Sequence, residues 1–216
     1  MSRDELDLTP ELMLHAYASG IFPMAESHDD PDLFWVDPRE RGIFPLDGFH
    51  LSRSLKKRMR KGGYIPVINY DFAGVVTACG DRNETWINPT LFDLYRQLHH
   101  MGFAHSFEIH GPGGMFGAVF GIALGGAFFG ESMVSLDTDG SKLALAHLVD
   151  HLNRAGFTLF DTQFITPHLA SLGAIEIPRA DYRARLHEAL RRNGRFLETP
   201  IESNIYSVIQ RSTQTS

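Results

Sequence analysis

One uncharged run limits what this chain can fold into more than any other feature. Met115 to Gly130 reads MFGAVFGIALGGAFFG, sixteen residues without a charge, and it ends at a single carboxylate, Glu131. Such a run has to be buried. A membrane-crossing helix needs about 20 apolar residues, so the run is short, although Gly117, Gly121 and Gly125 repeat at the spacing of closely packed membrane helices. A soluble helix would be weakened by its glycines. Phe, Val and Ile in two short runs split by Leu124-Gly125-Gly126 suit a pair of strands, and the sequence predicts a buried hairpin with no membrane association. Glu131 then poses a question. Carboxylates are rarely buried unless something pairs with them, so it lies either at a solvated strand end or in a site.

The rest of the chain supplies a core around that hairpin. Its 216 residues are enough for one substantial core, or a main domain with a small appendage. A 43% hydrophobic share with 16 Phe excludes a disordered chain. The one cysteine, Cys79, excludes a disulfide framework or thiolate zinc site within the chain, which fits a reducing compartment. The start, MSRDELDLTPELML, is acidic and has none of the zones of a signal peptide, so a cytoplasmic location is expected.

Helices and strands follow from periodicity and end signals. TPELMLHAYASG has a Thr cap and a Gly stop and predicts a helix over 10–19. The stretch 21–46 is loop-rich with aromatic anchors. SRSLKKRMRKGG predicts a basic helix, YIPVINY a strand, DFAGVVTACG a helix, and NPTLFDLYRQLHHMG a helix opening at Asn88-Pro89. AHSFEIH alternates like a strand and leads into the hairpin. DGSKLALAHLVDHLNRAG predicts a helix capped by Ser141, and FTLFDTQF a strand. This order favours an α+β or α/β domain built on one sheet. The last fifteen residues predict a weakly ordered tail.

Charge is uneven although the net is only −6. Arg53, Lys56, Lys57, Arg58, Arg60 and Lys61 fall in a segment, 48–70, that holds no acid. A local positive patch on a negative protein confines a polyanion to one place, whereas a lone charge run is more often a solvated helix face. A second group, Arg179, Arg183, Arg185, Arg191, Arg192 and Arg195, strengthens the reading of a phosphate-binding surface.

Strand alternation places Leu159, Asp161 and Gln163 on one face of FTLFDTQF, and Phe129, Glu131 and Met133 together on the hairpin. Acid and amide groups among apolar neighbours suit a pocket wall, and equally a satisfied buried network. Other chemistries are weaker. His147 and His151 lie four apart, but Leu148 stands where a zincin helix needs its Glu, and the remaining histidines follow no ligand spacing, so no metal is expected. GESMVS lacks a serine-nucleophile elbow, and Cys79 has no cation close by in sequence to activate it.

The blocks YASGIFPM, FWVDPRERGIFPLDGFHLSRSLKK, TWINPTLFDLYRQLHHMGFAHSFEI, FGIALGGAFFGESMVS, SKLALAHLVDHL and LFDTQFITPHLASLGAIEIPRADY, in order from about Tyr17 to Tyr182, resemble the leucyl/phenylalanyl-tRNA protein transferases. The resemblance implies transfer of Leu or Phe, and less well Met, from aminoacyl-tRNA to the α-amine of proteins beginning with Lys or Arg, marking them for N-degron degradation. It implies a small N-terminal domain over 1–37, an acetyltransferase (GNAT)-like catalytic domain over 38–200, a tail over 201–216, no cofactor and a monomer. The alternatives are a related transferase acting on acidic N-termini, an acetyl-CoA N-acetyltransferase, and a non-catalytic tRNA-binding module.

Residue by residue, the resemblance makes Glu131 the group that holds the amino group of the aminoacyl ester, and Gln163 and Asp161 the other catalytic positions. Gln163 would act either as a base relayed through Asp161 or, the role that better suits a neutral amide, as a group that orients and polarises the ester, and Asp161 would hold it or attract the incoming cationic N-terminus. Met133 and Val119 would line the side-chain pocket, with Trp86 and Tyr95 walling the site or stacking on the terminal adenine. Tyr17 and Phe128 join the substrate-binding set, and Arg53 to Lys61 would meet the tRNA acceptor stem without reading sequence. The chain departs from the longer members in lacking their N-terminal extension, and at Met24, Val119 and Thr166, where Trp, Met and Asn are common.

Overall fold

A computed structural model describes residues 8–81 and 85–214. The first seven residues, read above for targeting, and the last two of the expected tail lie outside the described residues. The uncharged run does form a hairpin. Strands β6 (Gly114–Leu124) and β7 (Ala127–Ser135) pair antiparallel across a two-residue loop in which Gly125 has a φ of 59°, a conformation that glycine adopts at little cost.

The hairpin is central in a seven-stranded sheet of order β4-β5-β6-β7-β8-β3-β9. The other members are β3 (Glu40–Phe44), β4 (Ile65–Ile68), β5 (Ala104–Gly111), β8 (Leu159–Gln163) and β9 (Ile175–Pro178). Every neighbouring pair is antiparallel except β7 and β8. That parallel pair is joined by a crossover helix, α5 (Gly140–Arg154), as parallel strands require. It is short. Pairing runs only from Ala127 opposite Leu159 to Phe129 opposite Asp161, and beyond that β7 continues to Ser135 and β8 to Gln163 without pairing to each other.

Helices cover both faces. On one lie α1 (Pro10–Ala18), α3 (Phe72–Gly80), α4 (Pro89–His100) and α7 (Arg179–Leu190), whose Met13, Tyr17, Val75, Val76, Leu91, Tyr95 and Tyr182 share a core with Phe120, Ile122 and Phe129 of the hairpin. On the other lie α2 (Arg53–Lys61), α5 and α8 (Ile205–Gln214), which bury Leu55, Met59, Leu148 and Val208 against Phe128 and Phe160. The short α6 (Pro167–Ser171) follows β8.

Residues 8–37 supply α1 and a two-stranded ribbon of β1 (Phe22–Met24) and β2 (Phe34–Val36), and their Met13, Tyr17 and Phe22 pack in one core with α3 and α4. Two features differ from the sequence reading. First, 205–214 is a helix rather than a tail. Val208 and Ile209 are buried, and Arg211 bonds Asp150 of α5 at 2.6 Å and Glu202 at 3.0 Å. Secondly, α5 is not capped by Ser141. Asp139, with a left-handed φ of 63°, precedes the first helical residue, and the Ser141 amide donates to the Ser135 hydroxyl.

Candidate active site

The site forms where β7 and β8 part, and a register fault in β7 sets it up. Phe120 faces Ser132 and Gly121 faces Gly130, so Glu131 is the extra residue of a β-bulge. The bulge breaks the alternation that would group Phe129, Glu131 and Met133: Phe129 packs on the α1/α4 face and Met133 on the α5 face. Glu131 sits at the changeover, 6% exposed. From there it meets the helices of one face while bordering a cavity on the other.

On the helix side, Glu131 Oε2 accepts hydrogen bonds from the Tyr95 hydroxyl at 2.8 Å and from Gln163 Nε2 at 3.0 Å. The Tyr17 hydroxyl is also within electrostatic reach of Glu131 and Tyr95. It completes no hydrogen bond of good geometry, and neither does Glu131 Oε1. Burial pushes the Glu131 carboxyl up to about 7, against the pull of Tyr95, Tyr17 and Gln163, and the charge of Asp161 adds to the rise. Burial, with the charge of Glu131, raises Tyr17 and Tyr95 well above the usual phenol range, so both keep their protons as donors. The one carboxylate in the hairpin is therefore buried among neutral donors, with one oxygen unsatisfied by protein.

On the other side of the bulge lies a cavity of about 210 Å³. Its walls include the apolar Val119, Met133, Leu145, Phe160, Phe164 and Leu169 and the polar Glu131, Thr162 and Thr166. Cavities for drug-sized ligands run from roughly 300 Å³ upwards, so this one suits a single apolar side chain.

Gln163 closes the end of β8. Thr162 is an extra residue against β3, since Gly42 faces Gln163 and Ile43 faces Asp161. Gln163 takes a left-handed φ of 63°, and its amide donates to Asp161 Oδ1 at 2.7 Å. Asp161 is fully buried. Its two oxygens also accept from Arg41 Nε at 2.9 Å, Arg41 Nη2 at 2.6 Å and the Tyr182 hydroxyl at 2.7 Å. Burial alone would lower Arg41, but Asp161 more than restores it and holds it above its ordinary value. An incoming cationic residue has no access to Asp161, so of the two roles expected for it only that of holding Gln163 fits the packing.

The expected site residues thus divide. Glu131, Met133 and Val119 come together at the cavity, Gln163 joins them through its bond to Glu131 without lining the cavity, and Asp161 accepts the Gln163 amide. Tyr95 and Tyr17 are fully buried behind Glu131 and offer no face to a base. Trp86, half-buried, packs edge-on against Tyr95 with ring centroids 6.4 Å apart, and is not among the cavity walls. Phe128 lies away from the cavity, in the core, stacked on Phe196 at 5.5 Å. Arg41 and Tyr182, partners of Asp161, were not singled out from the sequence, nor were Leu145 and Leu169. Only their presence in the blocks of family resemblance marked these four.

The basic helix α2 buries Leu55 and Met59 and turns its charges outward. Arg58 is tied down, donating to Gly62 O at 2.9 Å and lying over the Tyr64 and Phe116 rings. Among the described residues Arg53, Lys56, Lys57, Arg60 and Lys61 enter no ion pair, and all of them but the half-buried Lys56 are exposed. Of the second arginine group, the members on α7 are separated from this patch by the sheet. Arg179 and Arg183 lie on α7, across the sheet, and both bond Asp37 at 2.9 Å. The histidine pair of α5 is also engaged separately: His147 Nε2 meets the Tyr64 hydroxyl at 3.1 Å, and His151 Nε2 the Phe196 carbonyl at 2.8 Å. Among the described residues no helix is long and apolar enough to cross a membrane.

Residues 43–187 match the family model described as leucyl/phenylalanyl-tRNA protein transferase, and residues 6–39 match the model of that protein's N-terminal domain. A leucyl/phenylalanyl-tRNA protein transferase from Cereibacter sphaeroides is 62% identical over 97% of this chain and 98% of its own. One from Ruegeria pomeroyi is 60% identical over 98% of this chain and 100% of its own. Among solved structures, FemX aligns with a TM-score of 0.47 at 12% identity, over 83% of this chain and 71% of its own.

Proposed function

The chain belongs to the leucyl/phenylalanyl-tRNA protein transferase family, a family of aminoacyltransferases, and from that premise we propose how the cavity at Glu131 carries out the transfer. Leu or Phe, esterified to the end of its tRNA, places its side chain between Val119, Met133, Leu145 and Phe160. The unbranched Met133 adapts to either shape, and a β-branched side chain fits less well. The amino group of the ester then meets Glu131 Oε1 in a charge-assisted hydrogen bond. The single observation that carries this reading is a buried carboxylate with one oxygen unsatisfied by protein, on a residue that lines an apolar cavity.

The reaction needs little further help. The acceptor α-amine nitrogen bonds to the ester carbonyl carbon, the ester C–O bond breaks, and the ribose oxygen leaves with the proton that the amine releases. The ester is already activated, so no cofactor is called for, and holding amine and carbonyl together supplies much of the rate. One Gln163 N–H is spent on Glu131. Its second N–H serves the reacting carbonyl, an orienting and polarising role that suits an amide with no useful pKa near neutrality. The exposed cations of α2 take tRNA phosphates, which lets different tRNAs bind. Proteins beginning with Lys or Arg are the acceptors, and the product is marked for N-degron degradation in the cytoplasm. The catalytic body is GNAT-like and works as a monomer.

The test is transfer of labelled Leu, Phe and Met from charged tRNA onto proteins beginning with Lys, Arg, Asp or Glu, with Glu131→Ala in parallel. Transfer to Lys and Arg alone, lost in the variant, is the expected result. Transfer to Asp or Glu alone would reassign the acceptor, and tRNA binding without any transfer would make the chain a binding module.

A further inference from the structure

Gln163 is held from outside its own strand. Its left-handed backbone is uncommon and costly for a residue with a side chain, and it persists only where the surroundings impose it. Two adjacent residues of β3 do so. Arg41, 1% exposed, grips Asp161 with a bidentate fork, donates to the Gly20 carbonyl at 3.1 Å, and is sandwiched between the Phe22 and Tyr182 rings at 4.5 Å each. Asp161, so fixed, accepts the Gln163 amide. Gly42 lies opposite Gln163, and a Cβ there would come within 2.8 Å of the Phe164 carbonyl carbon and the Thr162 hydroxyl. The Phe164 backbone cannot swing aside as a flexible side chain would, so any larger residue must displace the turn that carries Gln163.

We infer that Arg41 and Gly42, with Tyr182, are positioning residues for the transfer reaction, fixing the Asp161 to Phe164 turn so that the Gln163 amide spans Glu131 and the ester. Neither β3 residue touches the cavity. The inference rests on the role given above to Gln163. It separates the two ends of the site: β7 supplies the group that binds the amino end of the donor, while β3 sets the group that faces its carbonyl.

The experiment is single-turnover transfer by wild type, Gly42→Ala, Tyr182→Phe, Gln163→Ala and Gly42→Ala/Gln163→Ala, each rate expressed per molecule that binds uncharged tRNA. Gly42→Ala should lower the rate roughly 10- to 100-fold, as misplacement of a reacting group by about 1 Å does. The KM for aminoacyl-tRNA should stay within about twofold, because donor binding is untouched. Tyr182→Phe removes one bond to Asp161 and should act in the same direction more weakly, which keeps the inference testable if Gly42→Ala fails to fold. Added to Gln163→Ala, Gly42→Ala should cost nothing further, since both act through one group. Unchanged rates in Gly42→Ala and Tyr182→Phe, or losses that multiply in the double variant, would overturn the inference while leaving Gln163 in place. Full activity of Gln163→Ala would instead overturn the role of Gln163, and this inference with it.

Discussion

Two buried carboxylates stand on neighbouring strands, Asp161 on β8 and Glu131 on β7 just past its pairing with β8, and their surroundings differ in kind. Asp161 has a guanidinium, a phenol and a backbone amide, which together engage both of its oxygens. Glu131 has neutral partners, Tyr95 and Gln163 on Oε2 with the Tyr17 hydroxyl nearby, and it borders a cavity. A carboxylate matched by a buried cation is a fixed part of the frame. One left among neutral donors remains available to a cation that arrives with the substrate. The same residue chemistry thus serves structure in one place and binding in the other, and the presence of Arg41 makes the difference.

The largest expected effect breaks the Asp161 side. Arg41→Met leaves Asp161 buried without its counter-charge, and loss of one partner of a buried pair costs about 3–5 kcal/mol. Urea unfolding of the variant measures it. A loss below about 1 kcal/mol, the level of an exposed pair, would remove the basis of the comparison.

The Glu131 side should respond in the opposite sense. Its carboxyl is raised from an ordinary 4.5 to about 7, so the folded protein holds a proton there that the unfolded chain releases. That contribution to stability is fully present below about 4.5 and is lost as pH rises through about 7. Glu131→Gln, which can still accept from Tyr95 and Gln163, should therefore be more stable than wild type at pH 8 by up to about 3 kcal/mol. The two proteins should converge near pH 4.5. Thermal or urea unfolding at the two pH values checks this, and equal stabilities throughout would mean that the site does not penalise the charge.

Much of the frame was legible in the sequence. An uncharged, glycine-split run leaves few foldings open, so the hairpin was read correctly, as were the basic helix α2 and the helices opened by Thr9, Asp71 and Asn88, whose side chains accept from the expected amides. The bulge at Glu131 was not legible, because an extra residue is a property of pairing with Gly121 and Phe120 and leaves no mark on composition. Nor was the Arg41 partnership, formed across 120 residues by a residue that resembles its exposed basic neighbours. The α8 helix was missed because a polar tail carries few signals, and Val208 and Ile209 count as core only once Asp150 anchors Arg211 beside them.

Smaller effects sharpen the binding half of the comparison. Val119→Met narrows the cavity beside Met133, and a change of about one methylene is worth roughly 10- to 200-fold in discrimination. The kcat/KM for Phe should fall relative to that for Leu by about the lower end of that range, measured by competition between the two charged tRNAs. Lys57→Ala with Lys61→Ala should weaken tRNA binding uniformly across tRNAs and reduce the salt slope by about 2. Stability should change by no more than about 0.5 kcal/mol, because both side chains are exposed.

The most direct test of the central claim removes the charge that Glu131 is said to receive. Transfer from leucyl-tRNA is compared with transfer from 4-methylpentanoyl-tRNA, which keeps the Leu side chain and lacks the amino group, in wild type and Glu131→Gln. Wild type should prefer leucyl-tRNA by about 100-fold in kcat/KM, the scale of a charged group left unpaired in a buried site, and the preference should shrink to about tenfold or less in Glu131→Gln. An equal preference in both proteins would show that the amino group is recognised elsewhere and would contradict the account.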